Sequence, residues 1–478
     1  MNMNGKIKIL LIGALVILTA CQPNSEKPNI ILMMADDLGW GDTGFNGNEQ
    51  IMTPNMDKLA DMGMIFSRFY SASPVCSPTR ASCLTGRNPV RLGVPNANTG
   101  HLQKSETSLA EVLKEEGYNT GHFGKWHLGT FTTTMSDANR GKPGNTSHVS
   151  IPTDHGFDEF FSTESKIPTW DPMIKPKTFN TDEGESLRFG WTAPVSEKDS
   201  VFYNTRYWTA LNKAEFNNVK GNDSRVIMDR AIEFIERSGA ESKPFFSVIW
   251  FHAPHLPVVV PEEYKTRFEV NNNQVQLYYG TISGLDEEVG RLWKTLEKNK
   301  IEDNTLIFFC SDNGPEVSTP GSAGPFRGRK RDLYEGGIRV PAFVVWPKKI
   351  GPGLKTDYPA FTSDYLPTII DILDLPEIDN GKVIDGISIG PALFEGSKER
   401  ESPMGFLYQK RISWVTQQHK LISVDEGKTF ELYDLLSDPS EKNNIIDSSP
   451  ELRDQLKADL DKWMESVKMD MKELENQD

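Results

Sequence analysis

The feature that most limits the fold of this chain is a series of short apolar runs separated by longer helical patterns. Uninterrupted apolar runs of this length are typical of strands buried on both faces, and strands that alternate with helices form largely parallel sheets. The clearest predicted strands cover residues 30–34, 245–250, 305–310 and 341–346. The sequence therefore predicts an α/β fold with a large, mostly parallel central sheet flanked by helices.

Helical patterns lie between these predicted strands. The stretch 108–116 begins with a capping-box pair, Ser108 and Glu111, and is followed by Gly117, a residue type that commonly ends helices. The other helical patterns cover residues 225–237, 278–298 and 367–373. This alternation supports the α/β assignment.

The pattern changes after about residue 377. Short strand-like runs at 406–408 and 420–422 precede an amphipathic helix that starts at Glu451. A chain of 478 residues also exceeds the usual size of one domain. We therefore predict a catalytic α/β domain over residues 28–377 and a smaller C-terminal subdomain over residues 378–478.

The stretch 130–222 is rich in Thr, Asn, Gly, Pro and aromatic residues and has little periodicity. We predict that it forms loops and insertions over one face of the sheet, where loops commonly shape specificity. Its aromatic residues could form stacking platforms for sugars, but packing is the favoured interpretation. These residues are Trp170, Trp191, Tyr203 and Trp208.

The N-terminus has the composition of a signal peptide. Lys6 and Lys8 precede an apolar run at 9–18, and the ending Leu-Thr-Ala-Cys resembles the box of bacterial lipoproteins, in which Cys21 becomes lipidated. A plain secretory signal or a short transmembrane anchor is the alternative. The predicted boundaries are residues 1–20 for the signal peptide and 21–27 for a tether. We therefore expect an exported bacterial lipoprotein, held by its lipid to a membrane in the periplasm or at the outer membrane or cell surface.

The net charge of the chain is −15, which argues against general nucleic-acid binding because that function needs a basic face. An anionic substrate would have to be attracted by local positive charge.

Paired hard oxygen ligands follow two of the predicted strands. Asp36 and Asp37 come directly after the strand at 30–34, and Asp312 and Asn313 follow the strand at 305–310. Ligands bind at the carboxyl ends of strands in open α/β sheets, so the two pairs could converge. Carboxylate and amide oxygens suit Ca²⁺ or Mg²⁺ better than zinc. Taken alone, an Asp-Asp pair after a strand is more often a turn or a helix cap.

The run from Cys76 to Arg87 places a cysteine where a helix begins. Pro78 fits the first turn of a helix, and Arg80 lies one turn after Cys76 on the same face. The free N–H groups and the helix dipole at this end would favour an anion. A small buried cysteine is the simpler alternative.

Three further motifs carry groups that bind anions or move protons. Lys125 and His127 lie two residues apart, so in an extended segment both side chains would point to one face. His255 lies in the motif Ala-Pro-His-x-Pro, and Lys330 lies in a basic run at 326–331. His252 is a weaker candidate, and a loop or surface position is the favoured interpretation of His122. A basic run is usually a solvated turn, but here it would supply the local positive field that an acidic chain needs.

Together these motifs resemble those of the type I, formylglycine-dependent sulfatases, and the chain is similar to the arylsulfatases of this family. The matching signature is Cys-x-Pro-x-Arg at Cys76, Pro78 and Arg80, followed by Thr-Gly-Arg at 85–87. The resemblance extends from Asp36 to about Asn443. It implies an alkaline-phosphatase-like sandwich, with a small antiparallel sheet in the C-terminal subdomain, and the activity of a sulfuric ester hydrolase.

The resemblance also implies the roles of the site residues. Cys76 would be oxidised by a maturating enzyme to formylglycine (3-oxoalanine), whose hydrate attacks sulfur, while Arg80 holds the nucleophile in place. Lys125 and Lys330 would neutralise the sulfate oxygens, His255 would protonate the leaving alcohol, and His127 would help to release sulfate. One Ca²⁺ ion would be bound by Asp36, Asp37, Asp312, Asn313 and the modified Cys76.

The expected substrate is a sulfated polysaccharide or oligosaccharide. Marine algal glycans such as ulvan, carrageenan or fucoidan are preferred, and glycosaminoglycans come second. Two other functions stay open: a formylglycine-dependent phosphonate or phosphodiester hydrolase, and a surface lipoprotein that binds glycans without catalysis.

The chain contains four cysteines, which in an exported protein would normally suggest two disulfides. Because lipid and formylglycine would claim Cys21 and Cys76, only Cys83 and Cys310 remain. Cys83 lies on the predicted helix and Cys310 ends an apolar strand. We predict that both are buried and reduced.

Overall fold

The computed structural model describes residues 27–475. The predicted signal peptide, the lipidation site Cys21 and all of the tether except Lys27 therefore lie outside the described residues.

The strands of the described chain fall into one large sheet and several small ones. In chain order they are β1 (Asn29–Ala35), β2 (Met64–Phe66), β3 (Phe69–Tyr70), β4 (Asn119–Lys125), β5 (Glu159–Thr163), β6 (Ile174–Pro176), β7 (Gly190–Ala193), β8 (Ser200–Phe202), β9 (Tyr207–Ala210), β10 (Lys213–Glu215), β11 (Phe245–Trp250), β12 (Val258–Pro261), β13 (Thr305–Ser311), β14 (Arg339–Val340), β15 (Ala342–Val345), β16 (Leu354–Thr356), β17 (Ala360–Phe361), β18 (Met404–Tyr408), β19 (Arg411–Val415), β20 (His419–Ser423) and β21 (Glu431–Asp434).

The helices connect these strands and cover the large sheet. They are α1 (Pro54–Asp61), α2 (Cys76–Thr85), α3 (Leu109–Glu115), α4 (Asp223–Ala240), α5 (Glu262–Lys265), α6 (Asn273–Asn299), α7 (Glu335–Ile338), α8 (Tyr365–Ile372), α9 (Gly390–Phe394) and α10 (Pro450–Glu475). None of the described helices is both long enough and apolar enough to cross a membrane.

The large sheet has ten strands in the order β10-β9-β5-β4-β11-β1-β13-β15-β2-β16. Its five central strands, from β5 to β13, are parallel. Antiparallel pairs flank them on both sides, β9 against β5 and β15 against β13. The predicted largely parallel centre is therefore confirmed, with a mixed sheet around it.

The alternation of side chains in β1 explains why both faces of this sheet are covered. Ile30, Leu32 and Met34 enter one hydrophobic cluster, together with residues of α2, α3 and α8. Ile31 and Met33 enter a second cluster, together with residues of α1, α4 and α6. Successive residues of a strand point to opposite faces, so an uninterrupted apolar run requires helices on both sides.

The stretch 130–222 corrects one prediction. It contains loops, but it also supplies β5, β9 and β10 of the large sheet, so it is not only an insertion over one face. These strands are short, and none of them is an uninterrupted apolar run. The run at 341–346 was predicted as a strand and is β15, which runs antiparallel to β13.

The predicted helices are confirmed, with longer bounds for α4 and α6 than the sequence indicated. Ser108 and Glu111 form the expected capping box of α3. In the C-terminal part, β18 to β21 form a four-stranded antiparallel sheet, and α10 packs against it through Leu456 and Leu460. The fold class is confirmed, and the domain boundary at residue 378 stays a prediction.

Candidate active site at the carboxyl edge of the central sheet

The strand order brings the predicted site residues to one place. Strands β4, β11, β1 and β13 are neighbours and run parallel, so their carboxyl ends meet at one edge of the sheet. Lys125 ends β4, and His255 follows β11. Asp36 and Asp37 follow β1, and the pair Asp312 and Asn313 follows β13. The expected convergence of the two oxygen pairs is therefore what the structure shows.

Cys76 is the first residue of α2, and its side chain is buried at this edge. Its Sγ atom lies 3.5 Å from Asp36 Oδ1 and 3.6 Å from Lys330 Nζ. Burial, with the charges of Asp312 and Asp36, raises the pKa of the Cys76 thiol to about 12. Since the thiolate is the reactive form of cysteine, the unmodified residue would be a weak nucleophile here.

The oxygen ligands suit a cation. Asp37 Oδ1 accepts hydrogen bonds from Asn313 Nδ2 at 2.7 Å and from Lys330 Nζ at 2.5 Å. Within the described part of the chain, no donor is within hydrogen-bond distance of the buried Asp37 Oδ2 or of the buried Asn313 Oδ1. Buried polar atoms are rarely left without a partner, so these two oxygens are available as ligands of a cation.

The crowding of buried carboxylates also indicates a cation site. Burial and the neighbouring Asp36 raise the pKa of Asp312 to about 6, although Arg80 opposes this shift. Ligand atoms of Asp36, Asp37, Cys76 and His255 lie within 4.8 Å of one another. The predicted Ca²⁺ ligands thus fit a cation of hard-oxygen preference, and the structure adds His255 to their surroundings.

Arg80 holds the two oxygen pairs together. Its Nη2 donates to Asp312 Oδ2 at 2.6 Å and lies 3.4 Å from Asp36 Oδ2, while Nη1 donates to the Lys125 carbonyl at 3.1 Å. The guanidinium also stacks over Trp250, 5.2 Å from the ring centroid. Fully buried and held on several sides, Arg80 fixes the geometry beside Cys76.

Both predicted lysines reach the site. Lys125 Nζ donates to Asp36 Oδ2 at 2.5 Å, as Lys330 Nζ does to Asp37. Burial favours the neutral amines, but the carboxylate charges outweigh it and raise the pKa of Lys125 and of Lys330. Both therefore stay cationic near Cys76.

His255 lies near Oδ2 of Asp37, whereas Asn313 donates to Oδ1 of the same carboxylate. Its Nδ1 donates to the Leu256 carbonyl at 2.6 Å, and its Nε2 is 3.7 Å from Asp37 Oδ2. Burial lowers the pKa of His255 well below its usual value, against the opposing charge of Asp37. A bound dianionic or monoanionic ester would favour the protonated ring, because added negative charge stabilises the imidazolium.

His127 reaches the site by a different backbone from the one predicted. Strand β4 ends at Lys125, and His127 adopts a left-handed conformation with φ of 58°, so the two residues do not share one extended segment. Its Nε2 lies 3.3 Å from Asn98 Oδ1 and 3.4 Å from Asn139 Nδ2. Burial and the Lys125 charge lower the pKa of His127 well below its usual value.

The two weaker histidine candidates have packing partners instead. His252 is held by Asp223 at 2.8 Å and by Thr163 at 2.7 Å. The interpretation of His122 as a loop or surface residue is wrong, because this residue is fully buried in β4. Its ring lies 2.7 Å from Ser162 and contacts the rings of aromatic neighbours. Neither belongs to the group of ligand atoms around Cys76.

Sequence reasoning missed three residues near the site: Asn98, Asn139 and Lys166. Asn98 and Asn139 contact His127, and the Lys166 ammonium interacts with the charges of Lys125 and Lys330. All three lie outside helices and strands and outside the quoted motifs, so only the folded loops bring them to the site.

Of the remaining predicted residues, the two cysteines and two of the four aromatic residues are buried, while Trp170 and Tyr203 are half-buried. Cys83 and Cys310 are buried and free, as expected. Trp191 and Trp208 are fully buried in the hydrophobic clusters, which confirms packing for these two, whereas Tyr203 is half-buried and lines a pocket.

Comparison with protein families gives two matches. The sulfatase family matches residues 28–375, and the C-terminal region of N-sulphoglucosamine sulphohydrolase matches residues 326–470. The two matches overlap and together reach from the start of β1 to α10.

A curated sulfatase and two solved structures are also similar to this chain. N-acetylgalactosamine-6-sulfatase of Mus musculus is 33% identical over 407 residues, which are 81% of this chain and 70% of the mouse protein. The crystal structure of Ps i-CgsB in complex with k-i-k-neocarrahexaose has a TM-score of 0.77 and 28% identity, covering 92% of this chain and 93% of its own. A structure described with the metabolism of multiple glycosaminoglycans by Bacteroides thetaiotaomicron has a TM-score of 0.72 and 25% identity, covering 93% of this chain and 100% of its own.

Proposed function

Because the chain belongs to the sulfatase family, and is a sulfuric ester hydrolase, we propose that it is a formylglycine-dependent sulfatase of sulfated polysaccharides. One observation carries this proposal. A buried cysteine at the start of α2 lies between two lysine ammonium groups and two oxygen pairs whose atoms are not all satisfied.

The modified residue is the first part of the proposal. Oxidation of Cys76 to formylglycine by a maturating enzyme would supply a hydrated aldehyde as the nucleophile. Arg80 holds this side chain beside Asp36 and Asp312, through its contacts of 3.4 and 2.6 Å to their carboxylates. The raised pKa of the unmodified thiol supports the need for such a change, since a neutral thiol attacks poorly.

The metal is the second part. Asp36, Asp37, Asp312 and Asn313, with residue 76, would hold one Ca²⁺ ion, because carboxylate and amide oxygens suit this cation. When bound, Ca²⁺ supplies positive charge against the oxygens of the ester. Lys125 and Lys330 lie on the same carboxylates, so they are placed to bind the remaining sulfate oxygens.

Proton transfer by two histidines is the third part of the proposal. His255 Nε2 faces the site and is free to carry a proton to the leaving oxygen, because its Nδ1 donates to the Leu256 carbonyl. His127, whose Nε2 lies between Asn98 and Asn139, would accept a proton from the nucleophile.

The substrate belongs to the proposal as well. We propose sulfated glycans, with marine algal polysaccharides such as ulvan first and glycosaminoglycans second. The likeness to Ps i-CgsB with a bound carrageenan oligosaccharide and to the Bacteroides thetaiotaomicron structure supports a sulfated carbohydrate. The proposed location is that of an exported lipoprotein anchored through Cys21 in the periplasm or at the outer membrane; the N-terminal sequence alone supports it.

The proposal is tested in two steps. Full-length protein, produced with a maturating enzyme, is digested, and the peptide across Cys76 is analysed by mass spectrometry. An aldehyde mass and release of sulfate from sulfated oligosaccharides are expected. An unmodified thiol under these conditions would favour a protein that only binds glycans, and faster turnover of aryl phosphodiesters than of sulfates would favour the phosphodiesterase alternative.

Metal binding has its own test, independent of activity. Ca²⁺ should raise the thermal unfolding midpoint, since at a hundred times its Kd a ligand stabilises by about 2.7 kcal/mol. Asp37→Asn should remove most of this shift, whereas Asp461→Asn, at an exposed position of α10, should leave it unchanged. An equal shift in both variants would contradict the assignment of the ligands.

A further inference from the structure

A pocket of about 460 Å³ opens beside the proposed active site. Its volume is in the range of sites for small ligands. The lining residues used below are Asn139, Lys166, Lys175, Leu187, Arg188 and Tyr203.

The pocket adjoins the active site through shared side chains. Asn139 lines the pocket and also lies 3.4 Å from His127 Nε2, and its side chain donates to Ser165, another lining residue, at 2.9 Å. Lys166 lines the pocket, and the charges of Lys125 and Lys330 lower its pKa together with partial burial. A ligand whose ester lies at Cys76 could therefore extend into this pocket.

The charge of the pocket is unusual for so acidic a chain. Lys166, Lys175 and Arg188 all line it, and within residues 27–475 none of them forms an ion pair with a carboxylate. Lys166 and Arg188 are exposed and Lys175 is half-buried, so a ligand can reach all three, whereas the buried Arg140 nearby pairs with Glu164. The charges of Asp37 and Glu316 raise the pKa of Lys166, but burial and the charges of Lys125 and Lys330 outweigh them and lower it.

The pocket also has an apolar side. The Leu187 side chain is 42% exposed, and the half-buried Tyr203 packs against the hydrophobic cluster that contains Trp191. Burial raises the pKa of Tyr203 to about 12, so its hydroxyl stays neutral. A flat apolar surface next to cations suits a sugar ring that carries an anionic substituent.

We propose that this pocket binds the sugar next to the one that is desulfated, and that Lys175 and Arg188 select a neighbour bearing a second anionic group. This inference rests on the proposed sulfatase function and specifies its substrate class. The substrate is an oligosaccharide with anions on adjacent sugars, and the second anion is a sulfate ester or a uronate carboxylate.

Four substrates test the inference on the matured full-length chain. Oligosaccharides of κ-carrageenan carry sulfate on every second sugar, those of ι-carrageenan carry it on each sugar, and those of chondroitin sulfate place a uronate beside the sulfated sugar. The fourth is 4-nitrophenyl sulfate, which has no neighbouring sugar. The wild type should prefer the ι-carrageenan or the chondroitin substrate over the κ-carrageenan substrate, and which of the two it prefers identifies the second anion.

The double variant Lys175→Ala/Arg188→Ala should lose about tenfold in kcat/KM on the preferred substrate, a change equivalent to about 1.4 kcal/mol. It should change less than about twofold on 4-nitrophenyl sulfate. The matched control is Lys198→Ala/Lys213→Ala, which removes the same charge from exposed positions that do not line the pocket. Equal losses in the two double variants, or equal losses on all four substrates, would overturn the inference.

Binding separates this inference from the proposed function. Isothermal titration of the Cys76→Ala chain with the ι-carrageenan and chondroitin oligosaccharides needs no turnover. Affinity for one of them that falls about tenfold when Lys175 and Arg188 are replaced supports the pocket even if sulfate is never released. Unchanged affinity overturns it, whereas absence of sulfate release from every substrate by a chain with confirmed formylglycine counts against the proposed function.

Discussion

Asp37 shows how single residues prepare the site for charge. Burial alone would raise the pKa of its carboxyl group, but the ammonium of Lys330 outweighs burial and holds that pKa below its usual range. One oxygen of Asp37 is satisfied by Lys330 and Asn313, and within the described chain the other has no donor. The site is therefore charged and oriented before a substrate arrives, which is the condition for electrostatic catalysis.

The role of His255 depends on the leaving group. His255→Gln should lower kcat on a sugar sulfate by about 10²-fold to 10³-fold, because an alkoxide leaves poorly without a proton. The loss on 4-nitrophenyl sulfate should be less than about tenfold, since this phenolate leaves readily unprotonated. Steady-state kinetics on both substrates measure the difference.

His419→Gln serves as the control for this variant, because His419 lies in β20 and outside the site. Equal losses of His255→Gln on the two substrates would indicate a binding or structural role for His255, not proton donation.

His155 makes stability depend on pH. Burial lowers the pKa of His155 to about 4, below the unfolded value of 6.5. Between these values the unfolded chain binds a proton that the folded chain does not, so stability should fall as the pH drops from 6.5 to 4. The contribution of this residue is up to about 3 kcal/mol.

Urea unfolding at several pH values measures this contribution. His155→Gln should flatten the loss of stability between pH 7 and 4, even if the variant is less stable at pH 7. A loss of the same steepness as in the wild type would show that His155 is not the titrating group.

At the scale of elements, the end of β4 is fixed by a close backbone contact. Gly124 has φ of 101°, and an added Cβ would lie 1.9 Å from the Trp250 carbonyl oxygen on the neighbouring β11. Only glycine fits this position without strain. The close pairing of β4 and β11 places Lys125 at the sheet edge beside Asp36.

Gly124→Ala should therefore be strongly destabilising, by about 3 kcal/mol or more, because the clash is with backbone and not with a movable side chain. Chemical denaturation measures this change. Gly117→Ala is the matched control for a positive φ without a clash, since nothing lies within 4 Å of its added Cβ. A Gly124 variant no less stable than the Gly117 variant would contradict the argument.

At the scale of the whole molecule, α10 ties the end of the chain to the catalytic region. Asp470 on α10 pairs with Arg87 at 2.8 Å and with Arg91 at 2.9 Å, and both arginines are nearly fully buried. Trp463 on the same helix donates to Asp385 at 3.1 Å, and Asp385 pairs with Arg91. The Thr-Gly-Arg of the sulfatase signature, which ends in Arg87, thus also anchors the C-terminal helix.

Asp470→Ala should lower the free energy of unfolding by about 1–3 kcal/mol, because it leaves two buried guanidinium groups short of a partner. The exposed Asp461→Ala on the same helix should change it by less than about 0.5 kcal/mol. Denaturant titration of both variants checks the prediction, and equal effects would show that the ion pairs do not stabilise the docked helix.

Three of the five central strands, β11, β1 and β13, could be predicted from the sequence, as could the main helices and the ligand-bearing pairs that follow β1 and β13. These are local properties: apolar runs require burial on both faces, and polar residues directly after a strand must lie at its carboxyl end. The positions of Cys76, Arg80, Lys125, His255 and Lys330 could likewise be identified from motifs, although their roles stay a proposal.

Only the tertiary structure decided how the stretch 130–222 folds. Its strands β5 and β9 join the large sheet through partners distant in sequence, and β10 extends the sheet by pairing with the adjacent β9. None of the three is an uninterrupted apolar run. The left-handed turn at His127, its contacts with Asn98 and Asn139, and the meeting of Lys166, Lys175 and Arg188 around one pocket arise in the same way. Contacts between loops depend on the packing of the whole chain, so local pattern could not reveal them.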